Sequence, residues 1–129
     1  MRIDHLSLWT DDLDRLTSFY QRYFAASVGP RYENPAKGFA SRFVSFEAGA
    51  RLEVMTTTRL ELARSDRGAE RFGLAHFAIS VGSAQDVDRL TARLRDDGHE
   101  VASAPRRTGD GYYESVVLDP DGNRVEIVA

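Results

Sequence analysis

Four residues stand at matching points of a 129-residue chain: His5 and Glu53 in the first half, His76 and Glu126 in the second. Each glutamate follows its histidine at nearly the same distance, 48 residues in one half and 50 in the other. Leu52 and Val54 flank Glu53, and Val125 and Ile127 flank Glu126. In a strand, such alternation sends the flanking apolar residues to one face and the polar residue to the other. Two neutral imidazoles and two carboxylates meeting on one concave face make a site for a divalent metal ion. Burying two carboxylates with no cation beside them is strongly unfavourable, which argues for such an ion.

The elements that must position these residues form an internal repeat. Residues 3–9 read as a strand, and 74–81 have the same form. A helix follows each. Asp11 or Asp12 caps the first, with Leu13, Leu16, Tyr20, Tyr23 and Phe24 at helical spacing. Ser83 and Asp86 form a capping box for the second, Val87, Leu90 and Leu94 make its apolar stripe, and Gly98 stops it. Three strand-like segments then complete each half. Gly38, Gly49 and Glu53 are each followed 73 residues later by Gly111, Gly122 and Glu126. The turn Asp119-Pro120-Asp121-Gly122 has proline at its second position and glycine at its fourth. The fold expected is α+β, one domain of two βαβββ modules (about 1–57 and 73–129) forming a cupped mixed sheet. Residues 58–72 are polar and read as a linker, with one helical turn around Leu60 and Leu62. A linker of that length allows the halves to fold together or to exchange between two chains.

Composition bounds the rest. With 42% hydrophobic and 29% charged residues, the chain has the apolar mass for a core. No run approaches the roughly 20 apolar residues of a membrane span, and the first residues carry no signal-peptide pattern. A cytoplasmic location is the default expectation. Cysteine is absent, which excludes disulfides, thiolate ligands and cysteine nucleophiles. A net charge of −3 argues against a nucleic-acid partner. Softer candidates for substrate contact are Trp9, Arg51, Glu114 and Arg124. Arg51 and Arg124 share parity with the two glutamates and suit a substrate anion or a surface ion pair. Glu114 suits a supporting or substrate-contacting group. His99 follows the Gly98 turn and reads as an exposed loop residue.

The paired modules, a histidine on each first strand, a glutamate on each last strand and the Asp119-Pro120-Asp121-Gly122-Asn123 turn resemble the vicinal oxygen chelate superfamily. That group includes glyoxalase I, extradiol dioxygenases, methylmalonyl-CoA epimerase, and the fosfomycin and bleomycin resistance proteins. The resemblance covers essentially the whole chain. It implies a cupped sheet around one divalent metal (nickel, cobalt, zinc, manganese or iron), usually in a homodimer, acting on a small-molecule substrate. The order His5, Glu53, His76, Glu126 looks like bacterial glyoxalase I, whereas the extradiol triad lacks a carboxylate at the Glu53 place. By that resemblance the four are metal ligands. The metal polarises a substrate oxygen so that an adjacent C–H turns acidic, and Glu126, with Glu53 as partner, moves the proton. In bacterial glyoxalase I an arginine four residues past the first histidine and an asparagine four past the first glutamate hold glutathione. Here these positions are Trp9 and Thr57, which argues against the glutathione hemithioacetal as substrate. The expectation is a metal-dependent lyase or isomerase of glyoxalase type. The alternatives are a resistance-type protein that sequesters a drug, and an extradiol-type dioxygenase.

Overall fold

In the computed structural model, which describes residues 2–60 and 72–129, the amphipathic stretches become two helices. α1 spans Leu13–Phe24 and α2 spans Ala84–Asp96. Of the two aspartates before α1, Asp12 is the cap, its carboxylate accepting from the Arg15 N–H. Leu13, Leu16, Phe19, Tyr20 and Tyr23 form its buried face. Phe19 thus joins the expected stripe, while Phe24 is only half-buried. Ser83 caps α2, its hydroxyl accepting from the Asp86 N–H. At the other end Gly98, with φ +88°, lets its own N–H reach Arg95 O while the His99 N–H reaches Leu94 O. This paired closure satisfies the last carbonyls of the helix. It also leaves His99 half-buried rather than exposed.

Two compact units divide the chain, Met1–Arg64 and Ser65–Ala129. The first contains β1 (His5–Trp9), α1, β2 (Ser27–Val28), β3 (Tyr32–Asn34), a 3-10 turn (Pro35–Lys37), β4 (Phe39–Ser45) and β5 (Arg51–Thr57). Its sheet runs in the order β1-β5-β4-β2, with β3 also on β4. The second contains β6 (Phe77–Ser80), α2, β7 (Val101–Arg107), β8 (Tyr113–Leu118) and β9 (Arg124–Val128), ordered β6-β9-β8-β7. In each unit the first strand lies parallel to the last, and the remaining pairings are antiparallel. The strands therefore form two mixed sheets, one per unit.

The repeat is visible in the register. Phe43 faces Glu53 across β4 and β5, and Val116 faces Glu126 across β8 and β9. Leu8, Val44, Leu52 and Val54 are buried in the first unit, as are Val117, Val125 and Ile127 in the second. The first unit departs from three strands after the helix, because its outer strand is cut into β2 and β3. Pro30 lies in the cut and has no N–H to give to a ladder. On α2 the buried residues are Val87, Thr91 and Leu94, while Leu90 of the expected stripe is half-buried. The buried Thr91 hydroxyl donates to Val87 O (2.6 Å) and meets Ser115 Oγ (2.7 Å), so nothing polar is left unsatisfied there. The expected helical turn around Leu60 and Leu62 falls partly outside the described residues, as does most of the 58–72 linker.

Candidate metal centre

Each unit brings one histidine and one glutamate together. His5 Nε2 lies 3.7 Å from Glu53 Oε2, and His76 Nε2 lies 3.2 Å from Glu126 Oε2. Both glutamates sit on the sheet face opposite their buried apolar neighbours, as the alternation requires. The histidines are less central than expected. His5 is the first residue of β1, and His76 lies one residue before β6. The β6–β9 pairing begins only at Phe77 and Val125, so His76 projects from the strand entrance.

In the first pair, the Asp4 carboxylate accepts from His5 Nδ1 at 3.1 Å. A carboxylate at Nδ1 suits a neutral imidazole with its proton there, the tautomer in which Nε2 is free to bind a metal. Hydrogen bonds from His5 first, and from Arg51 next, hold the Asp4 carboxyl below the usual carboxylate range. Ser7 Oγ, one residue along the same face of β1, donates to Glu53 Oε2 at 3.3 Å. The Phe43 ring stands edge-on to His5, with centroids 5.7 Å apart.

In the second pair, burial raises the Glu126 carboxyl above its ordinary value, and the neighbouring Glu114 carboxyl adds to the rise. His76 opposes it. Glu114 is mostly buried and is held by Arg106 at 3.1 Å. Arg106, Glu114, Glu126 and His76 thus form a chain of charge from β7 across β8 and β9 to the entrance of β6.

These groups suit a cation. Two donors bound to one first-row metal at about 2.1 Å, on adjacent corners of its coordination shell, stand about 3 Å apart. The His–Glu separations are of that size, and a carboxylate resisting ionisation beside a second carboxylate is relieved by positive charge. Among the described residues no three His, Asp or Glu groups are clustered as metal ligands, so each unit taken alone offers two.

The softer candidates divide. Glu114 contacts the Glu126 network. The Arg51 guanidinium donates to Asp4 at 2.7 Å and lies over the Phe43 ring, 4.3 Å from its centroid, so it braces His5 from behind. Arg124 is half-buried at the start of β9, opposite Leu118. Trp9 is half-exposed at the far end of β1 and stands edge-on to Phe39. Sequence reasoning passed over Asp4, Ser7 and Arg106. Only Ser7, two residues past His5, carried a usable signal, because period two puts both on one face.

The profile of the Glyoxalase/Bleomycin resistance protein/Dioxygenase superfamily matches residues 2–127. The chain belongs to that superfamily. Among curated proteins it is 28% identical to lactoylglutathione lyase of Haemophilus influenzae over 99% of this chain and 92% of that one. It is 26% identical to the uncharacterized protein YqjT of Bacillus subtilis, over 97% and 96% of the two chains. Solved structures share the superfamily fold. A glyoxylase/bleomycin resistance protein/dioxygenase domain from Frankia sp. EAN1pec superposes with TM-score 0.82 at 20% identity, over 99% of this chain and 96% of that one. Glyoxalase I from Zea mays gives 0.79 at 22% identity over 98% of this chain, which spans only 44% of the maize chain.

Proposed function

We propose that this protein is a metal-dependent lyase or isomerase of glyoxalase type. It moves a proton on a small substrate that presents two neighbouring oxygens. His5, Glu53, His76 and Glu126 are its ligands to one divalent cation, two from each module. The observation that carries this reading is the duplicated His–Glu pair, one in each unit and each at a metal ligand's spacing. The similarity to lactoylglutathione lyases supports the reaction class.

When bound, the cation acts as a Lewis acid on a substrate oxygen and makes the adjacent C–H acidic. Glu126, the carboxylate beside His76 Nε2 at 3.2 Å, takes the proton. Arg106 holds Glu114 in place beside it, while its own charge opposes the rise at Glu126. Glu53, steadied by Ser7, is the second carboxylate and the partner in proton return. Trp9 and Thr57 lack the charge and the amide that would recognise glutathione, so the substrate is a different one.

Metal analysis of protein purified without chelator tests the reading. One ion per chain is expected, with nickel, cobalt, zinc, manganese and iron all suited to nitrogen and oxygen donors. His5→Ala should bind metal at least tenfold more weakly while staying folded. Glu126→Gln should lower turnover by about 10²–10⁴-fold, the usual worth of a positioned base. Wild-type metal content and turnover in both variants would refute the assignment. Tight binding of a drug-like ligand without turnover and with substoichiometric metal would favour sequestration instead. Oxygen uptake with catechols would favour a dioxygenase.

A further inference from the structure

The two His–Glu pairs repeat, but their supports do not. In the first unit His5, Asp4, Arg51 and Phe43 close a ring of contacts. Asp4 accepts from His5 Nδ1 at 3.1 Å, and the Arg51 guanidinium donates to the same Asp4 oxygen at 2.7 Å. Arg51 lies over the Phe43 ring at 4.3 Å from its centroid, and Phe43 stands edge-on to His5 with centroids 5.7 Å apart. The Arg51 backbone N–H also donates to Asp4 O at 3.1 Å, so Asp4 is tied through main chain and side chain alike. The second unit keeps its two candidate ligands without these supports. Ala75 precedes His76 where Asp4 precedes His5. Val116 faces Glu126 where Phe43 faces Glu53, and Ala78 lies beside Glu126 where Ser7 lies beside Glu53. Among the described residues, no carboxylate stands at His76 Nδ1. Its Nε2 instead lies within hydrogen-bond reach of Glu126, at 3.2 Å, whereas His5 Nε2 is 3.7 Å from Glu53 and makes no such bond.

Resting on the proposed metal-site reading, we infer that Asp4 is a positioning residue that fixes His5 for the cation and makes the first unit the anchoring half-site. A ligating imidazole gains when its other ring nitrogen donates to a carboxylate, because ring orientation and tautomer are then set before the ion arrives. Asp4 supplies that carboxylate. An exposed carboxylate left to itself holds little, since ordering it costs side-chain freedom. Arg51, stacked on Phe43 and paired with His5 across β1 and β5, removes that freedom. Arg51 also balances the charge of Asp4, so the support acts through orientation and not through added negative charge. His5 therefore meets a cation with its Nε2 lone pair already bare. His76 must first give up its contact with Glu126 or reverse its tautomer.

Two measurements test this: zinc affinity by competition with a chromophoric chelator, and nitrogen-15 shifts of the imidazoles in metal-free protein. The chain has three histidines, so the shifts can be assigned by substitution. At about pH 8.5, above the usual histidine range, metal-free wild type should carry the His5 proton on Nδ1 and the His76 proton on Nε2. Asp4→Ala should move the His5 proton to Nε2 and weaken zinc binding by about 10–100-fold. Asp4→Ala combined with Arg51→Met should do the same, which separates lost orientation from an arginine left unpaired near the ion. Asp4 is exposed, so its variant folds. His5→Ala should cost more zinc affinity than His76→Ala. Wild-type affinity in either Asp4 variant, an unmoved His5 tautomer, or equal losses in the two histidine variants would overturn this inference and spare the metal site. Wild type that takes up no zinc, nickel, cobalt, manganese or iron would overturn the metal-site reading and this inference with it.

Discussion

Burial raises the Glu126 carboxyl above its ordinary value, and its pH behaviour follows from that. A carboxyl raised by burial is neutral in the folded, metal-free chain over a pH range where the unfolded chain has already ionised. The folded state then binds more protons, so its stability falls as pH rises from about 4.5 through the raised value. Glu126→Gln carries no such penalty. Metal-free Glu126→Gln should therefore melt higher than metal-free wild type at pH 7 and alike at pH 4, by thermal unfolding at the two pH values. Glu114→Gln removes the like charge that adds to the rise. It should move the acidic limb of the pH–rate profile to lower pH while leaving metal content unchanged. An unmoved limb would show that Glu114 does not tune its neighbour.

At the scale of elements, the sheet does the positioning and the helix secures the sheet. The parallel pairing of β1 with β5 puts Ser7 beside Glu53, and that of β6 with β9 puts Ala78 beside Glu126. Each helix covers the opposite face of its sheet, so a helix that frays loosens the strands bearing the glutamates. Ser83→Ala removes the acceptor for the Asp86 N–H and should cost about 1 kcal/mol in urea unfolding. Asp86 is itself held below its usual pKa by Ser83 first and Arg89 second. That contribution is present above the unfolded value of 3.8 and lost as pH falls through the lowered one. The Ser83→Ala deficit should accordingly shrink at pH 2.

For the whole molecule, the proposed reading has two half-sites serve one ion. The stoichiometry is then one metal per chain whether the modules that share it come from one chain or from two. Two ions per chain, by elemental analysis, would mean that each His–Glu pair acts alone. Chelation should lower the melting temperature, since an ion held at one hundred times its dissociation constant adds about 2.7 kcal/mol. Sedimentation is expected to show a homodimer binding a small molecule. Among the described residues no helix is long and apolar enough to cross a membrane.

The repeat was legible in the residues themselves because strand and helix periodicities are local properties. Glycine offsets of 73 and the capping pattern at Ser83 sufficed for the α+β class and for the side of the sheet on which Glu53 and Glu126 lie. The pairing of each histidine with its glutamate was legible only by analogy between halves. Tertiary structure decided what depends on strand pairing: that β1 lies beside β5 in a register setting Ser7 on Glu53, and that Arg106 reaches Glu114. It also decided that Glu126 shares its surroundings with a second carboxyl, and that Tyr32, 23 residues from Trp9, meets the same Phe39 ring. Sequence spacing states which face a side chain takes. Only a folded sheet, hydrogen-bonding strands remote in the chain, states which side chains are neighbours across it.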